Sequence, residues 1–233
     1  MKLSDLLFSQ GFGTRRECLG LIQHGRVRLG GTAIDDPDHE LAPEGLDYEV
    51  EGVPWRYQAR ALLMLHKPAG YECSAKPSSW PPVLSLLPLP LRRRGVQAVG
   101  RLDQDTTGLL LLTDDGPLLH RLTSPKHAVP KVYEATVKHP LTDDQLRKLC
   151  TGVTLNDSPV AVSAAQAEAI SPLHLRLTLM QGKYHQVKRM VAAVSNRVEA
   201  LHRSAIGEMA LPADLAPGQW RWIEDTAPLF PRP

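Results

Sequence analysis

The sequence predicts an α+β protein with two domains, a small one over residues 1–58 and a larger one over residues 59–233. Two helical segments and a hairpin pattern occupy the first part, whereas in the second part strands follow strands as often as they follow helices. That succession favours an antiparallel or mixed sheet with helices packed on it. With 233 residues, 42% of them hydrophobic, the chain is long enough to bury a core in each domain.

The elements of the small domain follow from local signals. Thr14 and Glu17 fit a capping box, which predicts the start of the second of two helices, near residues 3–10 and 15–24. Alternating residues on both sides of a Gly-Gly pair predict a hairpin over residues 26–34. The predicted order is therefore helix, helix, hairpin.

Short apolar runs and alternating patterns predict the elements of the larger domain. The run Leu109–Leu112 lies between a glycine and a Thr-Asp-Asp-Gly turn, which predicts a strand buried on both faces. An apolar stripe predicts a helix over residues 185–195, and Thr142 and Gln145 predict the capped start of another. Further strands are predicted over residues 61–65, 132–137 and 173–179.

Several classes of function are disfavoured by the composition. Cys18, Cys73 and Cys150 lie far apart without a C-x-x-C pair, and the histidines are not spaced as ligands, so we predict no metal site. No Rossmann fingerprint, P-loop or nucleophile elbow indicates a nucleotide cofactor or an α/β-hydrolase. The chain shows no membrane-length apolar run, no secretory signal and no heptad repeat, so we expect a cytoplasmic monomer.

The net charge of +2 conceals an uneven distribution along the chain. Residues 1–34 carry five basic and two acidic side chains, and residues 35–51 carry eight acids without a lysine or arginine. The remaining residues carry 22 bases against 15 acids. A basic segment followed by an acidic one predicts that a polyanionic partner binds one face of the small domain and is repelled from the other.

One carboxylate stands out because it lies just before the buried leucine strand. Asp103 is either part of a solvated loop or a group held in a cleft beside a cation. A calcium loop is a third reading, since the acidic and glycine positions partly fit an EF-hand. The twelfth position is Asp114 rather than glutamate, the leucine run suits a strand, and no paired helices flank the loop, so we disfavour it.

The run Gly100–Leu112 resembles the active-site motif of the pseudouridine synthases, in particular the ribosomal RNA branch with an N-terminal S4-like domain. Three further blocks match the family in order and approximate spacing, and the resemblance extends to about residue 223. They are Leu65–Tyr71, Lys131–Tyr133 and Gln181–Met190. The resemblance implies an S4-like RNA-binding domain with its linker in residues 1–58. It also implies a catalytic domain with a central, mainly antiparallel sheet flanked by helices in residues 59–233.

The resemblance also implies roles for individual residues. Asp103 matches the catalytic aspartate, and Tyr133 matches a tyrosine that lies against the target uracil. Lys188 stands where the family has a basic residue that pairs with the aspartate. Many relatives have arginine there and the small-subunit branch has lysine, so a point charge replaces a bidentate contact. Without the resemblance, Tyr133 could equally be a core aromatic residue.

A set of arginines is predicted to contact RNA. The residues are Arg15, Arg16, Arg26 and Arg28 in the S4-like domain, and Arg101, Arg189 and Arg203 in the catalytic domain. The alternative for the first four is an ordinary solvated basic face. The triplet Arg92–Arg94 is either a solvated loop or a phosphate contact.

The predicted function is isomerisation of a specific uridine to pseudouridine in ribosomal RNA. No cofactor is expected, because the reaction exchanges no electrons with a donor. The blocks around Lys188 and at Leu215–Gly218 resemble the small-subunit branch most, which implies 16S rRNA, free or within an assembly particle. The alternatives are a large-subunit rRNA substrate and a non-catalytic RNA-binding assembly protein. Whether the aspartate adds to the base, attacks C1′ or removes the C2′ proton stays open.

Overall fold

The computed structural model describes residues 1–74, 76–155 and 160–230. The chain forms two compact units that are not contiguous in sequence. The first consists of residues 1–61, 84–97 and 113–115, and the second consists of residues 62–83, 98–112 and the described residues from 116 onward. Segments from beyond residue 58 therefore contribute to the first unit.

The first unit contains the predicted helices and hairpin. Its helices are α1 (Leu3–Ser9), α2 (Arg15–Gln23) and α3 (Leu89–Arg93), and its strands are β1 (Val27–Leu29), β2 (Thr32–Ile34), β3 (Asp47–Val50) and β4 (Val53–Arg56). The strands form an antiparallel sheet in the order β2-β1-β3-β4. The capping box is present, because the Thr14 side chain accepts from the Glu17 amide and the Glu17 side chain accepts from the Thr14 amide. These local predictions are confirmed.

Arg94 stabilises the first unit from its interior. Its Nε donates to Asp114 Oδ2 at 2.6 Å, and both side chains are nearly fully buried. Its other nitrogens donate to Gln10 Oε1 at 3.0 Å and to the Gln58 carbonyl at 2.9 Å. Arg94 is therefore neither part of a solvated loop nor a phosphate contact, and it joins segments that are distant in sequence.

The second unit is built on one long, mainly antiparallel sheet. Its strands are β5 (Leu62–Lys67), β6 (Gln97–Ala98), β7 (Thr107–Thr113), β8 (Lys131–Val137), β9 (Gln166–Ser171), β10 (His174–Leu179), β11 (Val198–Ile206), β12 (Met209–Ala210) and β13 (Trp220–Trp222). The main path runs β13-β5-β7-β11-β8-β10-β9. The pairing of β11 with β7 is parallel, whereas β13 with β5, β11 with β8, β8 with β10 and β10 with β9 are antiparallel. This confirms the predicted fold class.

The α-helices that the described residues of this unit form are α4 (Gly116–Thr123), α5 (Asp143–Thr151) and α6 (Gln186–Ala193). Thr142 caps α5 as predicted, with Gln145 completing the capping box. The four leucines of β7 have no exposed surface, and the apolar stripe of α6 is buried. Within the described residues, no helix has the length and apolar character needed to cross a membrane.

Candidate active site

Asp103 lies in the loop that leads into β7. The loop is closed by a turn in which the Thr106 amide donates to the Asp103 carbonyl at 3.1 Å. From Thr107 onward the chain is a strand, which agrees with rejecting the calcium-loop interpretation. The Asp103 side chain is 25% exposed, so its carboxylate is accessible from solvent while its backbone is held.

Lys67, at the end of β5, holds this loop from inside the protein. Its side chain is completely buried, and Nζ donates to the carbonyls of Pro68 at 3.0 Å, Gln104 at 3.1 Å and Thr106 at 2.8 Å. Burial lowers the pKa of Lys67, although Cys73, Asp105 and Asp103 oppose part of that shift. The sequence signal for this residue is a lysine placed two positions after the apolar run of residues 61–65.

Lys188 contacts two carboxylates of the loop from the first turns of α6. Its Nζ lies 3.1 Å from Asp103 Oδ2, so the predicted contact with Asp103 is present. Nζ also lies 2.7 Å and 2.9 Å from the two oxygens of Asp105, a contact that sequence reasoning missed. Burial lowers the pKa of Lys188, but the hydrogen bonds to Asp105 and Asp103 outweigh it and leave that pKa raised.

His185 contacts the second oxygen of Asp103. Its Nε2 lies 3.2 Å from Asp103 Oδ1, and its backbone adopts a φ of +47° at the start of α6. The Tyr184 ring stacks on the imidazole with centroids 3.8 Å apart, and Tyr184 is 68% exposed. Sequence reasoning assigned no role to either residue.

Tyr133 and Arg203 are neighbours across β8 and β11. They are directly paired in register, and the Arg203 guanidinium lies 6.0 Å from the centre of the buried Tyr133 ring. Arg203 is only 3% exposed, and its Nε donates to the Leu109 carbonyl at 2.8 Å. The structure therefore does not support the predicted RNA contact of Arg203, which we correct to a buried residue of the sheet.

The burial of Arg203 has a physical reason in the strand pairing. β11 runs beside β7, with Arg203 opposite Gly108. Gly108 has a φ of +108°, and a Cβ there would lie 2.3 Å from the Arg203 carbonyl oxygen. The two strands approach too closely at this point for any side chain other than hydrogen at position 108. The hydrogen bond from Arg203 Nε to the Leu109 carbonyl holds the guanidinium against β7.

The other arginines predicted to contact RNA lie mostly on the surface. Those that are exposed are Arg15, Arg16, Arg26, Arg28 and Arg101. Arg15 forms an ion pair with Asp5 at 2.7 Å and lies over the Phe8 ring. Arg189 is partly buried and donates to the Tyr184 carbonyl at 3.1 Å. Their RNA contacts stay predictions.

The arrangement places the solvent-accessible Asp103 carboxylate between a lysine ammonium and an imidazole. Such a carboxylate can act as a nucleophile or as a base toward a substrate that enters from solvent. Among the described residues, no three histidine, cysteine, aspartate or glutamate side chains are grouped as metal ligands would be.

Comparison with known families gives a match for each part of the chain. Residues 61–193 match the family described as RNA pseudouridylate synthase. Residues 1–45 match the S4 domain. The matched ranges contain Asp103, Tyr133 and Lys188 in the first case and Arg15 to Arg28 in the second.

Individual proteins are similar over almost the whole chain. The ribosomal small subunit pseudouridine synthases A of Yersinia pestis and Escherichia coli K12 are each 42% identical over 219 residues, 93% of this chain and 92% and 94% of theirs. An uncharacterized RNA pseudouridine synthase of Bacillus subtilis is 37% identical over 229 residues, which cover 97% of this chain and 95% of that protein. A crystal structure of a pseudouridylate synthase aligns with a TM-score of 0.67 and 32% identity, and the alignment covers 96% of each chain.

Proposed function

Because the chain belongs to the RNA pseudouridine synthase family, we propose that it isomerises one specific uridine of small-subunit, 16S-type ribosomal RNA, with Asp103 as the catalytic carboxylate. The assignment of Asp103 as the catalytic residue rests on the contacts and the exposure of its side chain. Asp103 is the loop carboxylate that is both open to solvent and in contact with Lys188 at 3.1 Å and His185 at 3.2 Å.

In the proposed reaction the N1–C1′ bond of the uridine breaks and a C5–C1′ bond forms. The uracil turns in the site between these steps, C5 loses its hydrogen to solvent, and N1 gains a proton. No electrons are exchanged with an outside donor, so the isomerisation balances without a cofactor. Asp103 could attack C1′, add to the base or remove the C2′ proton, and its exposure is compatible with each role.

We assign Tyr133 to the uracil and Lys188 to Asp103. The Tyr133 ring lies 6.0 Å from the guanidinium of Arg203, and a base that stacks against such a ring gains about 1–3 kcal/mol. The target uridine must first leave its own stack, which costs a few kcal/mol. We propose that Arg15, Arg16, Arg26, Arg28, Arg101 and Arg189 supply phosphate contacts that offset this cost.

The substrate proposal rests on the relatives whose printed names specify the small ribosomal subunit. The S4 match supports binding of RNA through the N-terminal part of the chain. The family match over residues 61–193 favours an enzyme over a purely RNA-binding assembly protein. We further propose that the enzyme acts as a monomer in the cytoplasm, on an assembly particle of the small subunit. Large-subunit RNA is the competing substrate.

Tritium release tests this proposal. The substrates are unmodified 16S rRNA, free and within an assembly particle of the small subunit, and unmodified 23S rRNA, all labelled with tritium at uracil C5. Each is incubated separately with the native protein, with Asp103→Asn and with Asp143→Asn. Asp143 is an exposed aspartate at the start of α5 and serves as the matched control. We expect release of one equivalent from 16S rRNA or its assembly particle, retained in the control and lost in Asp103→Asn. Release from 23S rRNA alone would reassign the substrate, and release by Asp103→Asn would reject the catalytic assignment.

A further inference from the structure

Asp105 is the carboxylate that lies closest to Lys188. Both of its oxygens lie within 2.9 Å of Lys188 Nζ, whereas Asp103 contributes one oxygen at 3.1 Å. Asp103 divides its oxygens between Lys188 and His185, while Asp105 directs both of its oxygens to Lys188. The lysine is therefore shared by two carboxylates of one loop, and the nearer of them has no assigned role.

The backbone of Asp105 is fixed on both sides. Lys67 Nζ binds the carbonyls of Gln104 and Thr106, the residues directly before and after Asp105. The Gly70 amide adds a further bond to the Gln104 carbonyl at 2.8 Å. The Asp105 side chain therefore extends from a fixed backbone, so its carboxylate can hold a flexible side chain in one place.

Lysine is such a partner. An arginine guanidinium is planar and can bind one carboxylate through two parallel hydrogen bonds, which fixes its orientation. A lysine ammonium is a point charge on a flexible four-carbon chain, and a single carboxylate does not fix where it lies. A second carboxylate two residues further along the same loop supplies the missing constraint.

A purely structural role for this contact is a poor explanation. The Asp105 side chain is 55% exposed and the Lys188 side chain is 27% exposed. Ion pairs with this much solvent contact contribute little to folding stability. The contact is also far from local, since the two residues are 83 positions apart in sequence. Its geometric effect is to hold the ammonium beside Asp103.

We propose that Asp105 is a positioning residue that keeps the Lys188 ammonium against Asp103. With Asp105 in place, the lysine is fixed beside Asp103 as an arginine would be fixed by two parallel hydrogen bonds. This inference rests on the proposed function, because it presumes that Asp103 is the reacting group. Asp105 itself does not touch the substrate. Its removal should therefore affect the rate of the chemical step rather than the affinity for RNA.

A double-mutant cycle tests this proposal. The single-turnover rate of pseudouridine formation at saturating RNA is measured for the native protein, Asp105→Asn, Lys188→Arg and the double variant. RNA affinity and the melting temperature are measured for each protein. We expect Asp105→Asn to lower the native rate by about tenfold with unchanged affinity and melting temperature, because asparagine keeps the size and loses the charge. With arginine at position 188, the same substitution should lower the rate by less than about twofold.

Each other outcome overturns the proposal in a recognisable way. An unchanged rate in Asp105→Asn excludes a positioning role, and a faster rate or tighter RNA binding would mean that Asp105 acts by repelling phosphate. An inactive Lys188→Arg protein, or equal losses in both backgrounds, would show that the arginine guanidinium does not replace the carboxylate. The matched variant Asp143→Asn should keep the native rate. Failure of the proposed function itself is separate, since it appears as activity in Asp103→Asn.

Discussion

The substitution Lys67→Met tests whether a buried lysine holds the catalytic loop. Lys67 is fully buried and donates to three main-chain carbonyls at distances between 2.8 and 3.1 Å. Methionine keeps most of the side-chain volume but donates no hydrogen bond, so these acceptors lose a charged donor. A buried acceptor left unpaired costs about 1–3 kcal/mol.

The lower end of that range applies at this site. Two of the three hydrogen bonds are only partly buried, and removal of the ammonium also removes its desolvation cost. The Gln104 carbonyl keeps its hydrogen bond from the Gly70 amide, so the expected loss comes from the carbonyls of Pro68 and Thr106. At about 1 kcal/mol each, they give a loss of about 2 kcal/mol in the free energy of unfolding. The rate of pseudouridine formation should fall as well, because the carbonyls of Gln104 and Thr106 belong to the loop that carries Asp103.

Urea unfolding followed by tryptophan fluorescence measures the loss. Trp220 and Trp222 lie on β13, which pairs with the strand that ends in Lys67, so their emission reports on this part of the sheet. Lys76→Met is the matched control, since Lys76 is exposed, and it should change stability by no more than about 0.5 kcal/mol. A loss below about 1 kcal/mol in Lys67→Met would refute the reasoning, because each unpaired acceptor should cost at least that much. If the free energy of unfolding falls by the expected amount but the rate of pseudouridine formation is unchanged, the proposed link between Lys67 and catalysis is refuted.

Two further predictions concern charge. The double substitution Arg15→Ala with Arg16→Ala should weaken RNA binding and flatten the dependence of the binding constant on salt, and an unchanged slope in a filter-binding titration would remove these arginines from the interface. Lys131→Met should stabilise the protein at neutral pH, because burial and then the nearby Arg203 lower the pKa of Lys131 to about 8. The unfolded state binds the extra proton between pH 8 and the ordinary value of 10.5, so native stability rises with pH in this window. At neutral pH the free energy of unfolding of the variant should exceed that of the native protein by about 1 kcal/mol, after allowance for the partial exposure of Lys131. Urea titrations should show this difference shrinking above pH 8, and a difference that grows with pH would contradict the reasoning.

The sequence predicted well those features that depend on neighbouring residues. The capping boxes at Thr14 and Thr142 are local hydrogen-bond patterns, and both are present. The hairpin around Gly30 and Gly31 and the buried strand of β7 likewise depend on turn chemistry and on an unbroken apolar run. These signals are complete within a few residues, so no knowledge of the fold is needed to read them.

Features that depend on distant parts of the chain were missed or misplaced. Arg94 was read with its charged neighbours as a surface triplet, but its partners Gln10 and Asp114 lie 84 and 20 positions away. Arg203 was predicted to contact RNA, because nothing in its own sequence surroundings indicates that β11 pairs with β7. The family resemblance supplied the pairing of Lys188 with Asp103, yet it supplied neither Asp105 nor His185 as further contacts.

Different residues fix the backbone of the loop that carries Asp103 and contact the Asp103 carboxylate itself. Lys67 binds only main-chain carbonyls, so the position of the loop does not depend on the side chains of Asp103 or Asp105. His185 and Lys188 contact Asp103 through its side-chain oxygens, so an incoming uridine could displace either contact without moving the backbone of the loop. A carboxylate that must change its hydrogen bonds during a reaction needs such an arrangement, because its partners can be exchanged while its position stays fixed. The same separation explains why Lys67→Met should lower stability and activity together, whereas Asp105→Asn should lower the rate alone.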